Sequence, residues 1–181
     1  MRKVIDWLVT IVGALAIVLV FEAEVAKPFK IPSSSMEPTL HCAKPGAWCE
    51  AQFNDRVIAN RLAYRFGSPK RGQIVVFNAP KHACGVGGVF VKRLIGLPGD
   101  VVSERNGYLS VNGQPLKESY VDPDLRGTGA GTWHVAKGHY FFMGDDRAHS
   151  CDSRMWGAVP RSSLIGPVLA TYWPPTRLSL H

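Results

Sequence analysis

The strongest hydrophobic pattern in the chain is an apolar run near its N-terminus. The run Trp7–Phe21 (WLVTIVGALAIVLVF) carries no charge, and extending it back to Val4 gives 18 residues interrupted by one aspartate. At about 1.5 Å per residue, a helix of this length reaches roughly 27 Å, close to the thickness of a hydrocarbon core. Basic residues precede the run, so the positive-inside rule leaves the N-terminus in the cytoplasm. The pattern predicts one transmembrane anchor over residues 1–24 and an extracytoplasmic domain over residues 25–181.

A cleaved signal peptide is the main alternative for this segment, because it also begins with positive charge and a short apolar run. Cleavage requires small residues at −1 and −3. A cut after Ala23 places Phe21 at −3, and a cut after Ala26 places Glu24 there. A buried core helix is a third alternative, but the run has no polar face. The sequence therefore favours an uncleaved anchor.

Beyond the apolar run the pattern is that of short strands. Three prolines within residues 22–38 rule out a continuous helix there. Farther on, short runs rich in β-branched and aromatic residues alternate with turn residues, which predicts strands. The predicted strands are 74–77, 89–91, 101–102, 108–111 and 140–143.

Turn chemistry supports the same interpretation. Asn-Gly pairs at 106–107 and 112–113 predict two type I′ hairpin turns, whose central residues need positive φ. The glycine-rich stretch 126–132 predicts a loop. Residues 57–66 fit either a strand or a helix. The predicted fold is a mainly β domain, a barrel or folded sheet, that follows a single N-terminal transmembrane helix.

The chain carries a net charge of +7 at pH 7. Its Lys and Arg residues are scattered rather than clustered with aromatic residues, which argues against a nucleic-acid partner. Anionic membrane lipid is the partner that this charge favours, because the domain would lie beside a bilayer.

The four cysteines form no CxxC pair and have poor spacing for zinc, and no two histidines have helical metal-site spacing. We therefore expect no metal and no cofactor. An even number of cysteines outside the cytoplasm permits disulfides, and Cys42 with Cys49 could close a short loop. Free, buried thiols at these positions and at Cys84 and Cys151 fit the sequence equally well.

Three stretches carry residues suited to acyl-transfer chemistry. Residues 31–40 (IPSSSMEPTL) place three serines on backbone that prolines keep extended, which can fix a hydroxyl and a neighbouring N–H group. In residues 89–100 (VFVKRLIGLPGD), Lys92 lies among apolar residues, and burial would lower its pKa enough for it to act as a base. Residues 144–154 (GDDRAHSCDSR) predict a loop held by side-chain hydrogen bonds. Each stretch also fits a purely structural role.

Together, these stretches resemble the type I signal peptidases, membrane-bound serine proteases that remove signal peptides. The resemblance covers nearly the whole chain and includes five motifs in the family's order. These are the anchor, PSSSMEPTL, RGQIVVF, KRLIGLPGD and GDDRAHSCDSRMWG.

The resemblance implies a role for each matching residue. Ser35 would be the nucleophile and Lys92 the general base. Ser33 would donate its hydroxyl to the oxyanion, and Ser150 would orient the Lys92 amine. The residues that would support the Ser150 loop are Asp145, Asp152 and Arg154. The residues that would line shallow pockets for small side chains at −1 and −3 are Phe29, Ile31, Pro32, Phe90 and Val91. The implied partners are signal peptides of exported preproteins, membrane lipid and the export machinery.

The sequence departs from the family pattern at two positions, with Asp146 in place of the usual Asn and Gln73 in place of the usual Asp. The family pattern therefore does not predict the hydrogen bonds that these two side chains make. A Ser-His-Asp triad at His149, Ser150 and Asp152 is disfavoured because groups so close in sequence rarely reach triad geometry. A self-cleaving repressor would need a DNA-binding domain. A pilin or conjugation-factor peptidase, and a binding domain without activity, are further alternatives.

Overall fold

The structure is a computed structural model that describes residues 2–85 and 87–181. A long helix, α1 (Arg2–Glu24), leads into the folded domain. Its apolar side chains are exposed wherever they are described, for example at Trp7, Ile11 and Ile17. Among the residues described, no helix combines the length and apolarity required to cross a bilayer, so the predicted transmembrane anchor is not confirmed.

The rest of the chain is mainly β, as predicted, with two further short helices, α2 (Ala63–Phe66) and α3 (Ser153–Trp156). The strands are β1 Ala26–Lys30, β2 Arg56–Asn60, β3 Ile74–Ala79, β4 Gly88–Gly96, β5 Val101–Arg105, β6 Tyr108–Val111, β7 Gln114–Pro115, β8 Gly131–His134, β9 His139–Met143, β10 Val159–Pro160, β11 Leu164–Trp173 and β12 Ser179–Leu180. Single 3₁₀ turns occupy Ser34–Met36, Ala83–Gly85, Pro123–Leu125, Arg161–Ser163 and Pro175–Arg177.

The strands form two antiparallel sheets. The larger, eight-stranded sheet has the order β1-β2-β11-β3-β4-β9-β10, with β12 added to β11. The smaller sheet has the order β7-β6-β5-β8. All the named strand pairs are antiparallel. The domain that was predicted to be a barrel or folded sheet therefore consists of two antiparallel sheets.

The centre of the large sheet is buried on both faces. Along β3, Ile74 and Val76 pack into one apolar cluster with Met36, while Val75 and Phe77 pack into another on the opposite face. A strand covered on both sides carries a continuous apolar run instead of alternating polar positions. This explains why the sequence of β3 is apolar at four consecutive positions.

Both predicted hairpin turns are confirmed. Asn106 and Gly107 have φ of 51° and 75°, and Asn112 and Gly113 have φ of 53° and 79°. These turns join β5 to β6 and β6 to β7. The local turn chemistry therefore fixes the smaller sheet's hairpins.

Other expectations needed correction. The stretch predicted as a loop at 126–132 ends inside β8, which begins at Gly131. Residues 57–66 form a strand followed by a single helical turn, β2 and then α2. The long strand β11, which lies between β2 and β3, was not predicted.

Candidate active site

A cavity of about 470 Å³ brings together eight of the twelve sequence-predicted site residues, and Ser150, Asp145, Asp152 and Arg154 lie outside its lining. It lies between β1, the 3₁₀ turn at 34–36, β4 and the loop that precedes α3. Ser33, Ser35 and Lys92 line it. All five residues predicted for the substrate pockets also line it, namely Phe29, Ile31, Pro32, Phe90 and Val91. Chain segments about 60 residues apart in sequence thus meet at one concave site.

The Ser35 segment is held rigidly by its neighbours. Ser33 is extended, with φ of −136° and ψ of 155°, and the chain then enters the 3₁₀ turn. Met36 and Leu40, 1% and 0% exposed, anchor this turn in the core, and the Leu40 amide donates to the Met36 carbonyl over 2.8 Å. The Ser33 and Ser35 hydroxyl oxygens lie 3.3 Å apart. Two hydroxyls therefore face the same small volume.

Lys92 projects from β4, where it pairs with Val75 of β3. Its side chain is 3% exposed, and its Nζ donates a hydrogen bond of 3.0 Å to the Ser150 hydroxyl. Burial lowers the pKa of Lys92 from 10.5 to about 8, and the nearby Asp152 carboxylate opposes part of this shift. A fraction of the amine is therefore neutral near pH 7.

Gly144 lies where the Ser35 and Ser150 segments approach each other. A Cβ atom on Gly144 would overlap both the Ser35 carbonyl oxygen and the Ser150 Oγ atom. The backbone amide of Asp146, two residues after Gly144, donates a hydrogen bond to the Ser35 carbonyl over 3.3 Å. Only a residue without a side chain fits here, and the close approach ties the position of Ser150 to that of Ser35.

A buried ion pair supports the other side of β4. Neighbouring strand residues point to opposite faces, so Arg93 faces away from Lys92. Its Nε and Nη2 atoms donate to the two Asp145 carboxylate oxygens over 2.8 and 2.5 Å. The Thr39 hydroxyl adds a bond of 2.6 Å to the same carboxylate. Asp145 thus joins β4, the end of β9 and the segment that follows Ser35.

The Ser150 loop is tied down by Asp152 and Arg154. The Asp152 carboxylate accepts from the Gly144 amide over 3.1 Å and from the Arg154 Nε over 2.9 Å. Arg154 in turn donates to the Ser150 carbonyl over 3.3 Å. The three predicted support residues, Asp145, Asp152 and Arg154, do not line the cavity.

Sequence reasoning missed four charged residues of this support, Arg93, Glu104, Glu118 and Arg147. Arg147 is fully buried and pairs with the buried Glu118, and Glu104 pairs with Arg154 over 3.3 Å. A buried charge is tolerated when an opposite charge satisfies it. The only available signal was the density of charge in 144–154, which gave no hint of the partners.

Two disulfides join Cys42 to Cys49 and Cys84 to Cys151. The first is the pairing that the sequence left open, whereas the second had not been singled out. Cys84 and Cys151 both line the cavity, and Cys151 directly follows Ser150. The second disulfide therefore fixes the Ser150 loop to the segment that precedes β4.

The two unusual residues have local partners. Asp146 accepts from the His149 amide, and its carboxylate lies 3.0 Å from the His149 Nδ1 atom. The His149 ring stacks on Trp48, with centroids 4.0 Å apart. Gln73 accepts from the Lys70 amide over 2.9 Å. Asp146 and Gln73 thus both have local hydrogen-bond partners.

Among the described residues, one group offers side chains suited to a metal ion. The ligand atoms of Glu37, His41 and Glu50 lie within 4.8 Å of one another. One Glu37 oxygen, however, accepts from the Cys42 amide over 3.1 Å, and the other contacts the His41 ring directly. These contacts already satisfy the buried Glu37 carboxylate.

Comparison with known proteins identifies the family. The model of the family "Signal peptidase, peptidase S26" matches residues 4–173. Probable signal peptidase I-2 of Synechocystis sp. is 39% identical over 94% of this chain and 74% of its own length. Signal peptidase I of Leptolyngbya laminosa is 38% identical over 85% and 72%, and that of Mycobacterium tuberculosis is 34% identical over 92% and 72%.

A solved structure of a signal peptidase I from Enterococcus faecalis V583 is similar as well, with 34% identity and a TM-score of 0.48 over 55% of this chain and 96% of that one. The family match over nearly the whole chain, together with relatives above 30% identity, is decisive. The chain belongs to the signal peptidase I family, the serine peptidases of family S26 that remove signal peptides from exported proteins.

Proposed function

We propose that this peptidase cleaves its substrates with Ser35 as nucleophile and Lys92 as general base. The observation that carries the proposal is the shared cavity, which is lined by Ser35 and by Lys92, whose buried amine is bonded to Ser150. A lysine removed from water has a lowered pKa and can accept a hydroxyl proton near neutral pH. No second titratable base is required in this scheme.

The reaction starts when the Ser35 Oγ atom attacks the carbonyl carbon of the substrate residue at −1. The Lys92 Nζ atom accepts the hydroxyl proton as the new C–O bond forms. The developing oxyanion is stabilised by the Ser33 hydroxyl and the Ser35 backbone N–H group. The spacing of 3.3 Å between the two serine hydroxyls supports this role for Ser33, because a carbonyl group attacked by Ser35 would lie beside the Ser33 hydroxyl.

Collapse of the tetrahedral intermediate breaks the peptide C–N bond. The Lys92 ammonium returns its proton to the leaving amine, which departs as the N-terminus of the mature protein. A water molecule, deprotonated by the neutral Lys92, then attacks the acyl-Ser35 ester. This second step regenerates the Ser35 hydroxyl and releases the signal peptide.

Positioning groups complete the proposed site. Ser150 directs the Lys92 amine through their hydrogen bond, and Asp145, Asp152 and Arg154 hold the surrounding loop. These three act through other residues, because none of them lines the cavity.

The proposal includes a preference for small substrate side chains at −1 and −3. Phe29, Val91 and Pro32 give the cavity an apolar wall, while Ile31 is only 2% exposed and belongs mainly to the core. A shallow apolar wall accepts an alanine side chain and leaves a larger one clashing or unburied. This favours cleavage after an Ala-x-Ala sequence.

Attachment to a membrane through α1 is the remaining part of the proposal. Trp7, Ile11 and Ile17 are 71%, 56% and 71% exposed, an arrangement that is unfavourable in water and favourable in lipid. The proposal also includes a location of the domain over residues 25–181 outside the cytoplasm, beside the membrane lipid, the export machinery and the emerging preprotein. The shared membrane surface raises the local concentration of substrate.

The catalytic proposal is tested with Ser35→Ala and Lys92→Ala in a preprotein cleavage assay. Each variant should lose cleavage while keeping the circular dichroism spectrum of the wild type. Cleavage at the wild-type rate by either folded variant would overturn the dyad. Attachment is tested separately, because a chain lacking residues 1–24 should no longer sediment with membranes while retaining cleavage of a short soluble peptide.

A further inference from the structure

The two disulfides differ in how far solvent reaches them. Cys42 and Cys49 are 0% and 6% exposed, so the bond between them lies in the interior of the domain. Cys84 is exposed and Cys151 is half-buried, and both line the active-site cavity. A disulfide that thiols can reach is the labile kind, whereas a buried one resists exchange. The Cys84–Cys151 bond is therefore the one that a reductant would open first.

The exposed disulfide holds the residue that directly follows Ser150. Apart from this bond, Cys151 forms no hydrogen bond within the part of the chain that the structure describes. Its partner Cys84 lies in the 3₁₀ turn that precedes β4. That turn is anchored, because the Ala83 side chain is buried and the Ala83 amide donates to the Pro80 carbonyl over 3.0 Å. The disulfide thus attaches the Ser150 loop to a fixed point.

The hydrogen bonds of the loop restrain Ser150 less directly. Among the described contacts, the Ser150 backbone forms one hydrogen bond, in which its carbonyl accepts from Arg154 over 3.3 Å. That distance is longer than a typical N–H···O bond. The Asp152 carboxylate acts two residues away, on the Gly144 amide. Without the disulfide, the Ser150 hydroxyl that accepts from Lys92 would therefore be less well directed.

We propose that the Cys84–Cys151 disulfide is a redox switch on cleavage, which is fast in the oxidised enzyme and slow after reduction by a dithiol. A thiolate of the dithiol attacks the Cys84 Sγ atom to form a mixed disulfide, and Cys151 leaves as a thiolate that takes up a proton. The second thiol of the dithiol then displaces Cys84. Two electrons and two protons pass to the cysteines, and the reductant ends as a disulfide. The inference rests on the proposed role of Ser150 in orienting the Lys92 amine.

The test follows cleavage of a short peptide by the full chain in detergent, before and after treatment with dithiothreitol. Alkylation of the new thiols, read by mass spectrometry, identifies which disulfide is open. Once Cys84 and Cys151 are alkylated and the other pair is not, kcat should be about tenfold lower with KM unchanged, because a misplaced reacting group slows turnover. Reoxidation without alkylation should restore the rate. An unchanged kcat in the reduced enzyme, or earlier opening of the Cys42–Cys49 bond, would overturn the proposal.

Two double variants locate the effect. Cys84→Ser with Cys151→Ser should have the lower rate with and without dithiothreitol. Cys42→Ser with Cys49→Ser is the matched control and should keep the response to the reductant. Near-ultraviolet circular dichroism follows the fold of the wild type during reduction. A loss of that signal together with activity would overturn the proposal, because the bond would then stabilise the whole domain instead of acting on Ser150.

Ser150→Ala separates this inference from the catalytic proposal. The variant should be slow, and reduction should slow it no further, because the disulfide and the substitution act on the same hydroxyl. A slow Ser150→Ala enzyme that still responds to dithiothreitol as the wild type does would overturn the switch and leave the proposed role of Ser150 intact. A Ser150→Ala enzyme with wild-type activity would instead refute that role, and the switch with it.

Discussion

The Lys92 amine donates a hydrogen bond of 3.0 Å to the Ser150 hydroxyl, across 58 positions of sequence. The bond joins a strand in the middle of the large sheet to a loop held by Asp152, Arg154 and a disulfide. It therefore links the direction of the buried amine to a loop that side-chain hydrogen bonds and a disulfide hold in place.

Replacing Ser150 with alanine should misdirect the Lys92 amine. We expect the turnover number to fall about 100-fold, the scale on which small misplacements of a reacting group act, with little change in KM. Steady-state kinetics on a signal-peptide substrate would measure both. Ser150→Thr retains the hydroxyl and should recover much of the activity. A Ser150→Ala enzyme with an unchanged turnover number would remove Ser150 from this role.

Cleavage should depend on pH through Lys92. Because the pKa of its amine is lowered to about 8, about one amine in ten is neutral at pH 7. The value of kcat/KM should rise nearly tenfold per pH unit below pH 7 and level off above pH 8 to 9. This value reports ionisation in the free enzyme. A profile that stays flat between pH 5 and 10, with the fold intact, would count against Lys92 as the base.

Burial of Lys92 should also reduce stability. Because its folded pKa is near 8 and its ordinary value is 10.5, the unfolded chain binds the proton more readily. Stability therefore rises with pH between about 8 and 10.5, and the full cost, on the order of 3 kcal/mol, applies below pH 8. Lys92→Met should raise the free energy of unfolding at pH 7 by about 1–2 kcal/mol, since the unpaired Ser150 hydroxyl offsets part of the gain.

The stability gain is measured by urea unfolding, with Lys117→Met at an exposed site as the matched control. The control should change stability by less than about 0.5 kcal/mol. The Lys92→Met gain should shrink above pH 9, as the wild type loses its buried charge. A destabilised Lys92→Met protein at pH 7 would mean that the hydrogen bond to Ser150 outweighs the desolvation cost.

The features predicted from sequence are those that depend on neighbouring residues. Asn106 and Asn112, each followed by glycine, specify their turns locally, and β3 is recognisable from its own apolar residues. Strand β11 was missed because it contains Gly166 and Pro167, residues that usually interrupt strands. In the structure, a register shift precedes Gly166, and a Cβ atom there would overlap the Asn60 carbonyl. The glycine thus serves close packing on β2.

In the candidate site too, residues within local motifs were predicted and residues with distant partners were missed. Ser35 and Lys92 were named from motifs, and the structure brings both to one cavity. Arg93 was missed because its partner, Asp145, is 52 positions away, and neither residue has a local pattern that identifies the other.

Gly144 provides the most direct test of the coupling between Ser35 and Ser150. In Gly144→Ala, the added Cβ atom would overlap the Ser35 carbonyl oxygen and the Ser150 Oγ atom, so the two segments must separate. We expect the cleavage rate to fall at least 100-fold, because both the nucleophile and the group that orients the base are displaced. The free energy of unfolding should fall by about 1–3 kcal/mol, as in other overpacked sites. Gly13→Ala is the matched control, since no atom lies within 4 Å of its Cβ position. That control should cleave at the wild-type rate, and a Gly144→Ala enzyme that did so as well would show that the site tolerates separation of Ser35 from Ser150.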